Sequence, residues 1–262
     1  MNIYKLFSKK REYKIEELFD DIIGYNNVKR LFSMALESNE QVSILLSGPP
    51  ASAKTMFLES LRKLKSSYLI DGASTTKSGL IDCLFLNNPK YLLIDEIDKM
   101  STKDQAMLLN LMETGIVSET KHSKTRTANM KTSVFATSNN VNDIITPLQS
   151  RFFVVELPPY TYEQFHQISV HLLTVGHKVS QNIANVITNK VWANSRNIRD
   201  CVRVGRMAKS IDDIQFLIGT FLNYNSKYRE AFAYRKLVAL DQLTTALFST
   251  IKIFLWCRIW CW

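Results

Sequence analysis

The tightest constraint on how this chain can fold is the stretch Ser47-Gly48-Pro49-Pro50-Ala51-Ser52-Ala53-Lys54-Thr55, which follows an apolar run at 42–46. The spacing from Gly48 to Lys54-Thr55 matches the phosphate-loop pattern G-x-x-x-x-G-K-[ST]. In that pattern a turn between strand and helix aims backbone N–H groups at phosphate, and the lysine reaches the outer phosphates. Ala53 stands where the pattern has its second glycine. An alanine is cheap there only if its φ stays negative, as entry into a helix near Lys54 allows. Taken alone, the same residues also suit a strand–turn–helix corner that binds nothing.

Two acids downstream give the loop a partner. Leu92-Leu93-Ile94-Asp95-Glu96 is an apolar strand that places Asp95 forty positions after Thr55. Such a strand delivers carboxylates to the sheet edge where open α/β sheets bind ligands. The combination predicts Asp95 and the Thr55 hydroxyl as holders of Mg²⁺, and Glu96 as the group that polarises an attacking water. Asp98 and Lys99 read as solvated neighbours.

Apolar runs bounded by turns alternate with amphipathic segments, the pattern of βαβ units and a parallel sheet. Strands are expected at 43–47, 67–70, 91–95, 133–137 and 153–157. Ser101 with Asp104 three residues on marks a helix start, and Gly115 its stop. A polar segment, 118–132, carries Lys121, His122, Lys124, Arg126 and Lys131 and reads as a hairpin or exposed loop. After Pro158-Pro159 the pattern turns helical, at 161–175, 181–192 and 195–210. The expected domains are an α/β unit over 1–157, a small all-helical unit over 158–210, and a tail over 211–262. That tail ends with three tryptophans in the last seven positions. It suits docking on the core, a membrane interface, or a truncated or frame-shifted end, and it is short and charged for a span of about 20 apolar residues.

With 33 basic and 24 acidic residues the net charge is +9, which favours polyanionic partners or simply makes a basic solvated surface. Cys83, Cys201, Cys257 and Cys261 lack metal-site spacing and read as reduced thiols. Met1-Asn2-Ile3-Tyr4-Lys5 has no signal-peptide character, so a cytoplasmic location is expected.

Over roughly residues 17–208 these motifs resemble the AAA+ ATPases. The resemblance implies an α/β P-loop NTPase fold, a parallel sheet sandwiched by helices, followed by a helical lid. It further implies ATP and Mg²⁺ as ligands, with Gly48, Pro49, Pro50, Ala51, Ser52, Ala53, Lys54, Thr55 and Met56 at the nucleotide and Thr55 and Asp95 at the metal. Asp21-Ile22-Ile23-Gly24-Tyr25 is similar to the family's segment before the phosphate loop, where Ile22 and Ile23 would line the adenine pocket. Phe135-Ala136-Thr137-Ser138-Asn139 is similar to the sensor-1 strand, with Asn139 positioning water. Pro147-Leu148-Gln149-Ser150-Arg151-Phe152 looks like the arginine-finger segment, which would carry Arg151 to a neighbouring subunit's γ-phosphate and implies a homo-oligomeric ring, expected as a hexamer. Arg199 best matches the sensor-2 arginine, with Arg196 as rival. Arg196, Arg199, Arg203 and Arg206 are expected on one helical face.

Within the family the chain is most similar to RuvB-type Holliday-junction motors and related archaeal-type ATPases. The segment 71–80 corresponds by this resemblance to the family's pore-facing segment, and its hydroxyl residues with Lys77 suit phosphate contacts or a plain surface loop. The insertion 118–131 is expected to project toward DNA or an accessory protein. RuvB's winged helix has no recognisable counterpart in 211–262. The resemblance therefore implies an ATP-driven motor on DNA or DNA–protein complexes. The alternative is a chaperone-like ATPase of MoxR or protease-associated type acting on protein clients.

Overall fold

The computed structural model describes residues 15–121 and 124–222. The chain divides into two compact units that meet in sequence between Gln164 and Phe165.

The first unit is built on a five-stranded sheet in the order β2-β3-β6-β1-β7. Its strands are β1 (Ile44–Ser47), β2 (Ser67–Asp71), β3 (Tyr91–Asp95), β6 (Ser133–Ser138) and β7 (Phe153–Glu156). Every pairing in it is parallel. Central strands of a parallel sheet are covered on both faces and so read as continuous apolar runs. β3 and β6 show this, being buried almost throughout. Successive side chains alternate between two cores. Leu45, Leu92, Ile94, Val134 and Ala136 point to one, which α3 (Lys77–Asn87) and α4 (Thr102–Thr114) complete. Ile44, Leu46, Leu93 and Phe135 point to the other, under α1 (Asn26–Glu37) and α2 (Lys54–Arg62). The expected sheet sandwiched by helices is the fold observed, with strand ends shifted by one residue.

α4 starts where its cap predicts. Ser101 Oγ accepts from the Asp104 amide at 3.3 Å and donates to Asp104 Oδ2 at 2.5 Å. It stops at Gly115, whose φ of 69° puts it in the left-handed region, where glycine carries no steric penalty. The polar segment that follows is an antiparallel hairpin, β4 (Ile116–Lys121) with β5 (Lys124–Asn129), in which Glu119 faces Arg126. His122 lies outside the described residues. The short helix α5 (Thr146–Gln149) precedes β7.

The second unit is helical. α6 (Tyr162–His171), which begins at the end of the first unit, runs into a π-helical turn at Leu172–Gly176; α7 (Gln181–Asn194), α8 (Ile198–Met207) and α9 (Ile211–Leu217) follow. The expected helix at 195–210 is corrected at its start. Arg196 has φ 51°, and the Asn197 side chain accepts from the Arg199 amide, so Asn197 caps a helix that begins at Ile198. α9 opens on a full capping box between Ser210 and Asp213. The terminal run 248–262, with Cys257 and Cys261, and the segment Met1-Asn2-Ile3-Tyr4-Lys5 lie outside the described residues. Among the described residues no helix is long and apolar enough to cross a membrane.

Replacing Ser101 with Ala removes the side-chain acceptor of the Asp104 amide at the start of α4. We expect a loss of about 1 kcal/mol, read as a lower urea midpoint at unchanged slope.

Candidate active site

The sheet brings the predicted residues to one edge. Ser47 pairs with Ser138, and Ile94 with Ala136, so the carboxyl ends of β1, β3 and β6 finish at about one level. Asp95 and Thr137 lie in the last pleat of β3 and β6, and the phosphate loop follows directly from β1. In the order β2-β3-β6-β1-β7 the connection leaving β1 runs through α2 over one face of the sheet and that leaving its neighbour β6 runs through α5 over the other, the kind of switch point at which open α/β sheets bind ligands.

Between β1 and α2 the loop wraps the lysine. Lys54 is 6% exposed, and its Nζ donates to the carbonyls of Gly48 and Pro49, each at 2.8 Å, and to Ser52 Oγ at 3.2 Å. Ala51 takes φ 65°, and Ala53 takes φ −69°, ψ 9°. Ala53 thus satisfies the condition under which an alanine fits this position. It offers α2 no side-chain cap; the first amides of a helix lack intrahelical partners and favour anions. Pro49, Pro50, Thr55 and Met56 are exposed along this edge.

Opposite the loop stands the acidic turn. Thr55 Oγ1 donates to Asp95 Oδ2 at 3.2 Å, with Oδ1 at 3.4 Å. Thr137 Oγ1 donates to Asp95 Oδ1 at 2.5 Å and accepts from the Glu96 amide at 3.0 Å. Glu96 is left-handed, φ 55°, ψ 51°. Asn139 Nδ2 donates to Glu96 Oε1 at 3.2 Å. A hydroxyl and a carboxylate in contact form a hard oxygen donor pair that fits Mg²⁺, which is commonly held by one or two protein ligands together with substrate phosphates. No group of three or more His, Cys, Asp or Glu that could hold a metal occurs among the described residues.

Asp98 is corrected from solvated to buried: its residue is 7% exposed, its Oδ1 accepts from the Asn139 amide at 3.4 Å, and Lys99 Nζ lies 3.6 Å from Oδ2. Ile22 is 1% exposed within the core beside Phe19, Phe32 and Phe57. Ile23 keeps accessible surface. Beside them Tyr25 donates its hydroxyl to the Pro158 carbonyl at 2.8 Å and its ring lies 5.4 Å from that of Tyr160. Burial raises both phenols above their ordinary range.

Arg151, after α5, is ion-paired with Glu113 in the last turn of α4. In the second unit Arg199 stands exposed in the first turn of α8, Arg203 pairs with Asp200 at 3.0 Å, and Arg196 stacks on the Trp192 ring at 5.0 Å. The single face of four arginines is thereby corrected to three within one helix, because Arg196 belongs to the preceding turn. Cys83 and Cys201 are free and buried, and burial pushes the Cys201 thiol up to about 12.

In the segment after β2, Thr75 Oγ1 donates to the Asp71 carbonyl at 2.6 Å and Thr76 caps α3. Lys77 is exposed. On the hairpin, Arg126 binds Glu119 and Asp82, and its guanidinium lies 4.4 Å from the Phe85 ring centroid.

Residues that the motifs did not reveal are Thr137, Asp98 and Glu113. A hydroxyl two positions before Asn139 was visible, but nothing local said that it would meet both acids of another strand.

The MCM P-loop domain family matches residues 83–191, a span that holds Asp95, Glu96, Asn139 and Arg151. The DNA replication licensing factor MCM4 of Oryza sativa subsp. japonica is 26% identical over 170 residues, covering 58% of this chain and 20% of its own length. The DNA replication licensing factor mcm5 of Dictyostelium discoideum is 24% identical over 249 residues, 77% of this chain and 33% of its own length. The chain thus spans about a fifth to a third of the length of the curated relatives it matches. Among solved structures, the RuvB Holliday junction branch migration motor of Thermotoga maritima superposes with a TM-score of 0.58 at 20% identity, over 76% of this chain and 70% of that one. A mutant of the same protein gives 0.61 at 19% identity, over 77% and 71%. That likeness is one of fold.

A side chain at Gly72 would collide with the acidic turn: its amide donates to the Asp95 carbonyl at 2.7 Å, and a Cβ would sit 2.4 Å from the Glu96 carbonyl oxygen. Gly72→Ala is expected to cost about 1–3 kcal/mol, as overpacking does; an unchanged urea midpoint would show that the turn yields freely.

Proposed function

We propose that this chain, an AAA+ ATPase resembling the RuvB-type motors, hydrolyses ATP at the edge formed by β1, β3 and β6 and uses the cycle to act on DNA or DNA–protein complexes as part of a ring. The observation that carries the reading is the convergence of Thr55, Asp95, Glu96 and Asn139 through side-chain hydrogen bonds beside the loop that holds Lys54.

Each residue has a task that its chemistry suits. Gly48 through Ala53 offer a backbone cradle, and Lys54 exchanges its carbonyl partners for phosphate oxygens, each charge-assisted bond being worth about 1.5–3 kcal/mol. Thr55 and Asp95 would hold Mg²⁺, whose charge would offset that of the phosphates. Glu96 accepts a proton from the attacking water, with Asn139 fixing one of its oxygens. Ile23, with Ile22 behind it, borders the adenine. Arg151 acts in trans: its pair with Glu113 has both side chains more than 40% exposed, and such a surface pair is worth only about 0–1 kcal/mol, so a neighbour's γ-phosphate outcompetes it. A hexameric ring is the assembly that this role suits. Arg199 is our choice for the sensor-2 role, since Arg196 is engaged with Trp192.

The DNA reading draws on the net charge of +9, on the relatives named as DNA replication factors, and on exposed Lys77. The loop hydroxyls are spent on local bonds and Arg126 on acids, so Lys77 and Lys131 are the proposed phosphate contacts. The boundaries we propose remain an α/β domain over 1–157, a lid over 158–210 and a tail beyond, in a cytoplasmic protein.

Lys54→Ala should abolish nucleotide binding, measured by fluorescent-nucleotide titration. Glu96→Gln should bind ATP normally and lose turnover by at least about 100-fold; retained hydrolysis would remove Glu96 from its role. Mixing Arg151→Ala with Lys54→Ala protein should restore part of the activity, and confirmed mixed rings that stay inactive would exclude a finger in trans. Duplex or four-way DNA should stimulate hydrolysis, with affinity falling as salt rises. ATPase activity indifferent to DNA would instead favour a protein client.

A further inference from the structure

We infer that Thr137 is a positioning residue of the ATPase site, whose single hydroxyl ties the metal-side carboxylate of Asp95 to the backbone of Glu96. The inference rests on the ATP-hydrolysis reading above. Thr137 is fully buried on β6, one residue beyond the pair Ile94 and Ala136, which sets it beside Asp95. A threonine hydroxyl donates once and accepts at two lone pairs. Here it donates to Asp95 Oδ1 at 2.5 Å and accepts from the Glu96 amide at 3.0 Å.

Two consequences follow for the chemistry. With Oδ1 engaged, Asp95 turns Oδ2 toward Thr55, at 3.2 Å, on the side where the cation is to be held. Glu96, meanwhile, is a non-glycine residue in the left-handed region, a conformation that persists only where its surroundings determine it. It is tethered at both ends: its amide by Thr137 and its Oε1 by Asn139, at 3.2 Å. β6 thereby supports the acids through two side chains, Thr137 on the backbone and Asn139 on the carboxylate. Valine has the shape of threonine without the hydroxyl. It would leave the Glu96 amide without this acceptor and Asp95 held by Thr55 alone.

The test compares the wild-type chain with Thr137→Val and Thr137→Ser, measuring kcat and KM for MgATP and the affinity for ADP in EDTA. Thr137→Val should lower kcat by about 10–100-fold, the range of a displaced acid–base group, while KM and metal-free ADP affinity change by less than about twofold. Thr137→Ser should stay within about threefold of wild type. If the valine variant does not fold, Thr137→Ala carries the same expectation. Wild-type activity with an equally active valine variant overturns the inference alone, as does a serine variant as impaired as valine, which would assign the effect to packing. A wild-type chain that neither binds nor hydrolyses ATP overturns the ATPase reading and this inference with it.

Discussion

Parallel pairing of β3, β6 and β1 is the constraint on which the site geometry depends. Parallel ladders run all strands in one direction, so the segments leaving their carboxyl ends emerge on one side of the sheet. The phosphate loop leaves β1, the acids leave β3 and Asn139 leaves β6, and the register that matches Ser47 with Ser138 and Ile94 with Ala136 brings them to the same level. A slip of one residue would turn every side chain of a strand to the opposite face. Because both faces of β3 and β6 are buried in separate cores, such a slip would cost packing on either side at once. The accuracy of the polar edge is thus maintained by apolar residues that never touch it.

Much of this was legible in the sequence because the controlling signals are local. The runs at β1, β3 and β6 are apolar and end in polar residues with evident chemistry, and the Ser101 cap and the Gly115 stop bracket α4 within a residue. Local signals fail where the deciding partner is distant. Asp98 follows an exposed-looking acidic pair, yet Ile97 and Met100 carry the turn into the core and bury it. Arg196 fits a helical spacing, but Asn197 caps the chain after it, and the Trp192 ring on the previous helix takes its guanidinium. Ile22 and Ile23 are identical in type, and only the tertiary packing decides that one is core and the other accessible. The start of α9 carries the same local signal, since Ser210 and Asp213 repeat the relation of Ser101 and Asp104.

Similarity to the MCM P-loop domain covers the acids, Asn139 and Arg151, while the phosphate loop stands on its own spacing and on the bonds of Lys54. These two lines meet at the hydrogen bond between Thr55 and Asp95. That contact joins a residue outside the matched span to one inside it.

Gly72 gives the edge a mechanical property. Its amide is bonded to the Asp95 carbonyl at 2.7 Å, and the space where a side chain would stand is filled by the Glu96 carbonyl. Two backbones in such close contact have no slack between them. A methyl group here would press at once on the acidic turn and on the start of the segment that leads to Lys77, so the two run side by side only because one residue between them has no side chain.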